Sequence, residues 1–179
     1  MAGWYYLVAQ LPSIPQAPAP LPITSGAFEE LCSRFFDPGS LAVLRGISLE
    51  PPAHPAPTGS FVVDSWNGME NSLRFALAQV RAQKLKRDFS AGAVQIHPEA
   101  AQAARTAAAM DNPLGAERFL NDFRSDFISR ITPVDIFSTE AVYAYFLRLK
   151  LAERARKFND EAGMASYRIL YDQILGDAK

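Results

Sequence analysis

The sequence predicts an all-α fold: a multi-helix bundle in a single domain over 1–179, with proline-rich extended connectors between its helices. Three observations predict it. Large apolar residues recur at three- and four-residue spacing over 61–88 and through a C-terminal helical half, 112–176, which is the period of helices with one buried face. The prolines gather at 12–22 and 51–57, where they separate the apolar runs instead of interrupting them. Strand signals are scarce. A chain of 179 residues that is 49% hydrophobic suits one domain with a sizeable core.

Taken in order, Trp4 to Val8 is the best strand candidate, and a short helix fits it equally well before Pro12 halts it. Both proline stretches read as extended connectors, because proline lacks an amide donor and disfavours helix at the preceding residue. A proline-rich ligand for another domain is the sharper alternative to a surface linker. Between the connectors, a helix opens at Ser25 with Glu29 and Glu30 expected in its first turn, and Phe28, Leu31, Cys32, Phe35 and Phe36 on its apolar side. Asp37-Pro38 offers an N-cap and a proline at the first helical position of the next, which carries Leu41 and Leu44 and stops at Gly46.

Residues 61–88 read as one long helix with Trp66, Met69, Leu73, Ala76, Leu77 and Val80 on one face. Gly68 within it costs about 1 kcal/mol relative to alanine. The alanine-rich stretch from His97 to Met110 favours helix but buries little area per residue, so it is expected to be the least firmly held. Asn112-Pro113 then caps a helix bearing Leu114, Leu120, Phe123, Phe127 and Ile131, ended by Thr132-Pro133. Ser138 caps the next, with Val142, Phe146, Leu149 and Ala152 aligned and Tyr143, Tyr145 and Leu147 beside them. Asp160 opens a final helix with Met164, Tyr167, Leu170, Tyr171 and Ile174, ending at Gly176.

Reactive constellations are missing from this pattern. A formal net charge of −1 argues against a general nucleic-acid binder. No glycine-rich phosphate loop occurs, since Gly39, Gly46, Gly59 and Gly68 lack the spacing and the lysine ending. His54 and His97 have no ligand-type neighbour at metal spacing and read as a surface loop residue and a residue leading into a helix. Cys32 lies on an apolar side, as a buried inert thiol would, and a lone cysteine with no basic leader favours a reducing cytoplasm. The pairs Glu29-Glu30 and Asp160-Glu161 are explained by helix starts. No stretch approaches the roughly 20 apolar residues of a spanning helix. The expectation is therefore no catalytic residue, no cofactor and no metal.

Three features invite a binding role. Glu70 and Arg74 stand at i, i+4, with Trp66 one turn earlier and Arg81 further on, which suits either a helix-stabilising pair or an interhelical polar anchor. The basic run from Arg81 to Arg87 reads as a solvated helix end or a contact for an acidic partner or nucleic acid. Arg148, Lys150, Arg154, Arg156 and Lys157 flank the Phe146–Leu149 stripe as a solvated face or a docking rim. On the rim reading, reversing Lys150 and Arg154 to glutamate leaves folding intact, whereas Phe146→Asp unfolds the C-terminal half.

Several segments also resemble a bacterial family of unknown function whose genes accompany V-type ATPase operons. They are Trp4-Tyr5-Tyr6-Leu7-Val8-Ala9-Gln10-Leu11-Pro12, Trp66 with Glu70-Asn71-Ser72-Leu73-Arg74 and Val80-Arg81-Ala82, Asn112 to Arg118 with Asp122-Phe123-Arg124, and Ala144 to Arg154. The last two are similar to the helical C subunit of V/A-type ATPases, called d in eukaryotes, a non-catalytic socket between the central stalk and the proteolipid ring. This chain is about half as long, so the resemblance implies a reduced or replacement version. It implies an all-helical, non-catalytic stalk or coupling subunit, cytoplasmic and held at the inner membrane by its partners, the central stalk first and the proteolipid ring second. Residues implied in structure or interface are Trp66, Glu70, Arg74, Arg81, Phe123, Arg124, Tyr145, Arg148, Lys150 and Arg154. Ser125 and Ser129 stand where that subunit favours larger residues. A transient assembly or regulatory factor is the alternative, and an unrelated small-molecule enzyme a third.

Overall fold

A computed structural model describes residues 3–15, 19–89, 96–157, 168, 169 and 171. Among them it holds seven helices and no strand: α1 (Gly3–Ala9), α2 (Ser25–Ser33), α3 (Pro38–Gly46), α4 (Phe61–Lys84), α5 (Pro98–Ala109), α6 (Pro113–Ile131) and α7 (Thr139–Lys157). The protein is mainly helical, as the apolar spacing predicts. Residues 3–9 take the helical alternative. The helix expected from Asp160 falls almost wholly outside the described residues, including Met164, Tyr167, Leu170 and Ile174.

The caps follow the expected chemistry. Helix α2 opens at Ser25 as expected, with Thr24 as its cap, whose hydroxyl accepts from the Ala27 N–H at 3.3 Å. Glu29 and Glu30 lie beyond its first turn, not in it as expected. Asp37 caps α3 through the Gly39 and Ser40 N–H groups, Asn112 caps α6 through Leu114, and Ser138 accepts from Ala141 at the start of α7. Helix α4 stops at Lys84, four residues short of the expected end. Its stop is a Schellman turn: Arg87 N–H reaches Ala82 O, Lys86 N–H reaches Gln83 O, and Lys86 sits at φ 52°. Lysine gives no sequence signal for that left-handed position, which usually draws glycine.

Helix α7 is the hub. Val142, Tyr143, Ala144, Phe146, Leu147, Leu149 and Leu151 are all buried, so apolar side chains surround it. It contacts α2, α3, α4 and α6. Its carboxylates also cap two other helices. Glu140 accepts from Ser60 Oγ and Val62 N–H at the start of α4, each at 2.8 Å, and Glu153 accepts from Ser25 N–H at the start of α2 at 2.6 Å. Both place negative charge against a positive helix end.

Two apolar clusters result. The first gathers Leu7, Phe28, Cys32, Leu44, Val62, Trp66, Ile128 and the buried residues of α7. Phe28 stacks on Phe146 with ring centres 5.3 Å apart. The second joins Met69, Leu73 and Ala76 of α4 to Ala100, Ala103, Ala104 and Ala107 of α5 and Leu120 of α6. Phe127 packs against both. Alanine's small side chain lets α5 lie close along α4, and these two form the most extensive helix pair. The little area that alanine buries is thus offset by close backbone approach, a factor that area per residue omits.

Candidate interaction surface

Most of the polar residues singled out in the sequence make contacts within the protein. Glu70 does not pair with Arg74. It reaches across to α6, where Arg124 Nε and Nη2 donate to its two carboxylate oxygens at 2.8 and 2.9 Å. The pair is bidentate and buried, with Glu70 2% and Arg124 5% exposed. Burial alone would lower the Arg124 pKa. The hydrogen bond and charge of Glu70, reinforced by Glu117 and Glu50, outweigh that and raise it. Glu117 also accepts from Arg154 Nη2 at 2.7 Å. Charges of alternating sign therefore run from α4 through α6 to α7. The interhelical anchor exists, with Arg124 as its cation.

Arg74 serves the connector instead. Its Nη1 donates to Pro51 O at 2.9 Å, Asn71 Nδ2 donates to Pro52 O at 2.8 Å, and Trp66 Nε1 donates to Ser48 O at 2.9 Å. Proline-rich backbone has carbonyls to satisfy and few donors of its own, so α4 supplies them. The first connector is tied likewise: Tyr145 Oη donates to Pro12 O, and Arg156 Nη2 donates to Pro15 O and Ala19 O. These contacts bind both stretches to the body, which favours the linker reading over a free proline-rich ligand.

The remaining expected residues divide. Arg148 Nη2 donates to Thr132 Oγ1 at 3.0 Å. Lys150 Nζ donates to Ile47 O at 2.7 Å and lies 4.5 Å from the Phe146 ring centre. Phe123 packs partly buried in the second cluster. Arg81 is exposed in the last turn of α4, and Lys84 there donates to Ala108 O at the end of α5. Ser125 and Ser129 are exposed, so their small size leaves no gap in the core. Arg148, Lys150, Arg154 and Arg156 are half-buried internal clamps, not a free rim. Reversing Lys150 or Arg154 removes these contacts and is therefore expected to act on folding, where the rim reading expects folding to be spared.

Among the described residues no three His, Cys, Asp or Glu side chains are grouped to hold a metal ion. Cys32 is fully buried, and burial with the nearby Glu29 charge pushes its thiol up to about 12. A cleft of about 460 Å³ between the second connector and α4 is lined by Glu50, Pro51, Asn71, Arg74, Phe75 and Phe89 among others, with no serine, cysteine or histidine. No helix among the described residues is long and apolar enough to cross a membrane.

What sequence reasoning missed is an exposed apolar end. The α6–α7 connection carries Val134 fully exposed, Ile136 58% exposed, and Phe137. Tyr5 of α1 lies against Phe137 with ring centres 4.5 Å apart. Phe61, 68% exposed, sits between Ser60 and Val62, both of which bind Glu140 just beyond that connection. Segments far apart in the chain thus present large apolar side chains at one end. Such a concentration marks an interaction site more often than scattered exposed residues do. Comparison with protein families, curated proteins and solved structures finds no match to this chain.

Proposed function

We propose that this chain is a non-catalytic docking subunit, and that its setting is a bacterial V-type ATPase. There it acts as a stalk or coupling subunit, like the C subunit, linking the soluble ATPase sector to the membrane sector. The observation that carries the docking role is the apolar end of Tyr5, Phe61, Val134, Ile136 and Phe137, since the α7 cations Arg148, Lys150, Arg154 and Arg156 are engaged within the protein. The ATPase setting rests on the resemblance of the Trp4–Pro12, Trp66–Ala82, Asn112–Arg124 and Ala144–Arg154 segments. Its place is then cytoplasmic, peripheral to the inner membrane through partner subunits.

Affinity purification of the tagged chain from its host at near-native salt tests this. The stalk and catalytic ATPase subunits are expected to co-purify in fixed ratio with the chain. Recovery of none of them would sink the ATPase setting. Recovery only with unassembled subunits, and absence from the ATP-hydrolysing enzyme, would make the chain a transient assembly factor.

A further inference from the structure

Resting on the docking reading, we propose that the apolar end receives one amphipathic helix of a partner protein, with an apolar stripe flanked by lysine or arginine. The charge around the end sets the sign. Residues 3–15, 58–65 and 132–141 supply the surface, and their only charged residues are Asp64, Asp135 and Glu140. Arg130, in the last turn of α6, is matched by Glu99 at 2.7 Å, and Arg148, half-buried on Thr132 Oγ1, is one cation against these three carboxylates. An acidic rim around exposed aromatic and aliphatic side chains complements a basic amphipathic surface.

The backbone sets the form of the partner. Thr58 and Gly59 N–H groups donate to Asp64, Val62 N–H to Glu140, Phe137 N–H to Asp135 Oδ1, and Ser138 N–H to Asp135 O. The apolar side chains thus sit on helix starts and a turn, with no sheet edge among the described residues for a partner strand to extend, and recognition falls to side chains, as in helix-face docking. The same rim disfavours two other occupants. An anionic lipid surface would face like charge, and a second copy would bring two acidic rims together.

The test uses the purified chain and two labelled synthetic peptides of about five helical turns (~18 residues) with the same leucine stripe, one flanked by lysine and one by glutamate. Fluorescence anisotropy is expected to show saturable binding of the lysine peptide, weakening as salt rises, and weaker binding of the glutamate peptide. The double variant Val134→Ser/Ile136→Ser alters only exposed side chains and is expected to melt like the parent while binding about tenfold more weakly. Asp135→Asn keeps the oxygen that accepts from Phe137 and is expected to weaken binding by about two- to threefold. Equal affinity for both peptides, or affinity unchanged in the double variant, would overturn the proposal. So would co-sedimentation with phosphatidylserine vesicles, or a dimer, that the double variant abolishes. If the lysine peptide fails while host purification still yields a partner lost in the double variant, the partner chemistry falls and the docking reading stands.

Discussion

Removing Arg124 leaves Glu70 charged and buried without its cation, so Arg124→Ala is expected to cost about 3–5 kcal/mol in denaturant unfolding. Replacing the pair together, Glu70→Leu with Arg124→Met, is expected to cost less than either single change, because no buried charge remains. Single costs that add fully in the double variant would show that the two residues act independently. Phe146 lies between Phe28 and Lys150 with no exposure. Truncation to alanine there is expected to cost about 3–5 kcal/mol by the same measurement. Cys32 links stability to pH at the alkaline end. Its thiol rises from 9.0 to about 12 on folding. Between those values the unfolded chain loses the proton and the folded chain keeps it, so this contribution is full below pH 9 and lost as pH climbs toward 12. At neutral pH a thiol reagent is expected to modify Cys32 only upon unfolding; rapid native labelling would contradict its burial. At this scale much was legible in the sequence, the inert thiol and Asp37, Asn112 and Ser138 as caps among it. The partner of Glu70 was not, because i, i+4 spacing points to Arg74 and nothing local reveals a cation 54 residues on.

Helix α4 carries two local sequence conflicts that substitution should relieve. Gly68 is exposed, and a Cβ there meets nothing within 4 Å, so Gly68→Ala is expected to stabilise by about 0.5–1 kcal/mol. Lys86 occupies a left-handed position at φ 52° that glycine adopts freely, so Lys86→Gly is expected to stabilise by about 1 kcal/mol. Thermal melting checks both, and a lowered midpoint would contradict either geometry. In α7, Lys150→Glu removes the donor to Ile47 O, and Arg154→Glu sets a carboxylate against Glu117. Each is expected to destabilise by about 1–3 kcal/mol, and unchanged melting would restore the solvated-face reading. The helices themselves were legible because three- and four-residue spacing survives in α4, α6 and α7. Their ends were less so. The α4 stop depends on a lysine at a glycine-like position.

Across the whole molecule, α4 and α7 both start at the apolar end, joined through Glu140, and both carry basic residues in their last turns. The exposed cluster of Tyr5, Phe61, Val134, Ile136 and Phe137 therefore coincides with acidic charge at one end, while exposed Leu85 and Phe89 follow the basic end of α4. This arrangement was not legible in the sequence. Tyr5, Phe61, Val134 and Ile136 lie in a short helix, a first helical position and a connection, where no periodicity marks a face. Tertiary contacts bring them together, Tyr5 against Phe137 and Ser60 and Val62 on Glu140. A photo-crosslinking amino acid at position 136, with a second at exposed Arg105 as reference, tests the docking claim most directly when the chain is expressed in its host. Position 136 is expected to give one dominant adduct containing a V-type ATPase stalk subunit, and position 105 to give none. No adduct at 136, or equal capture at both positions, would contradict it.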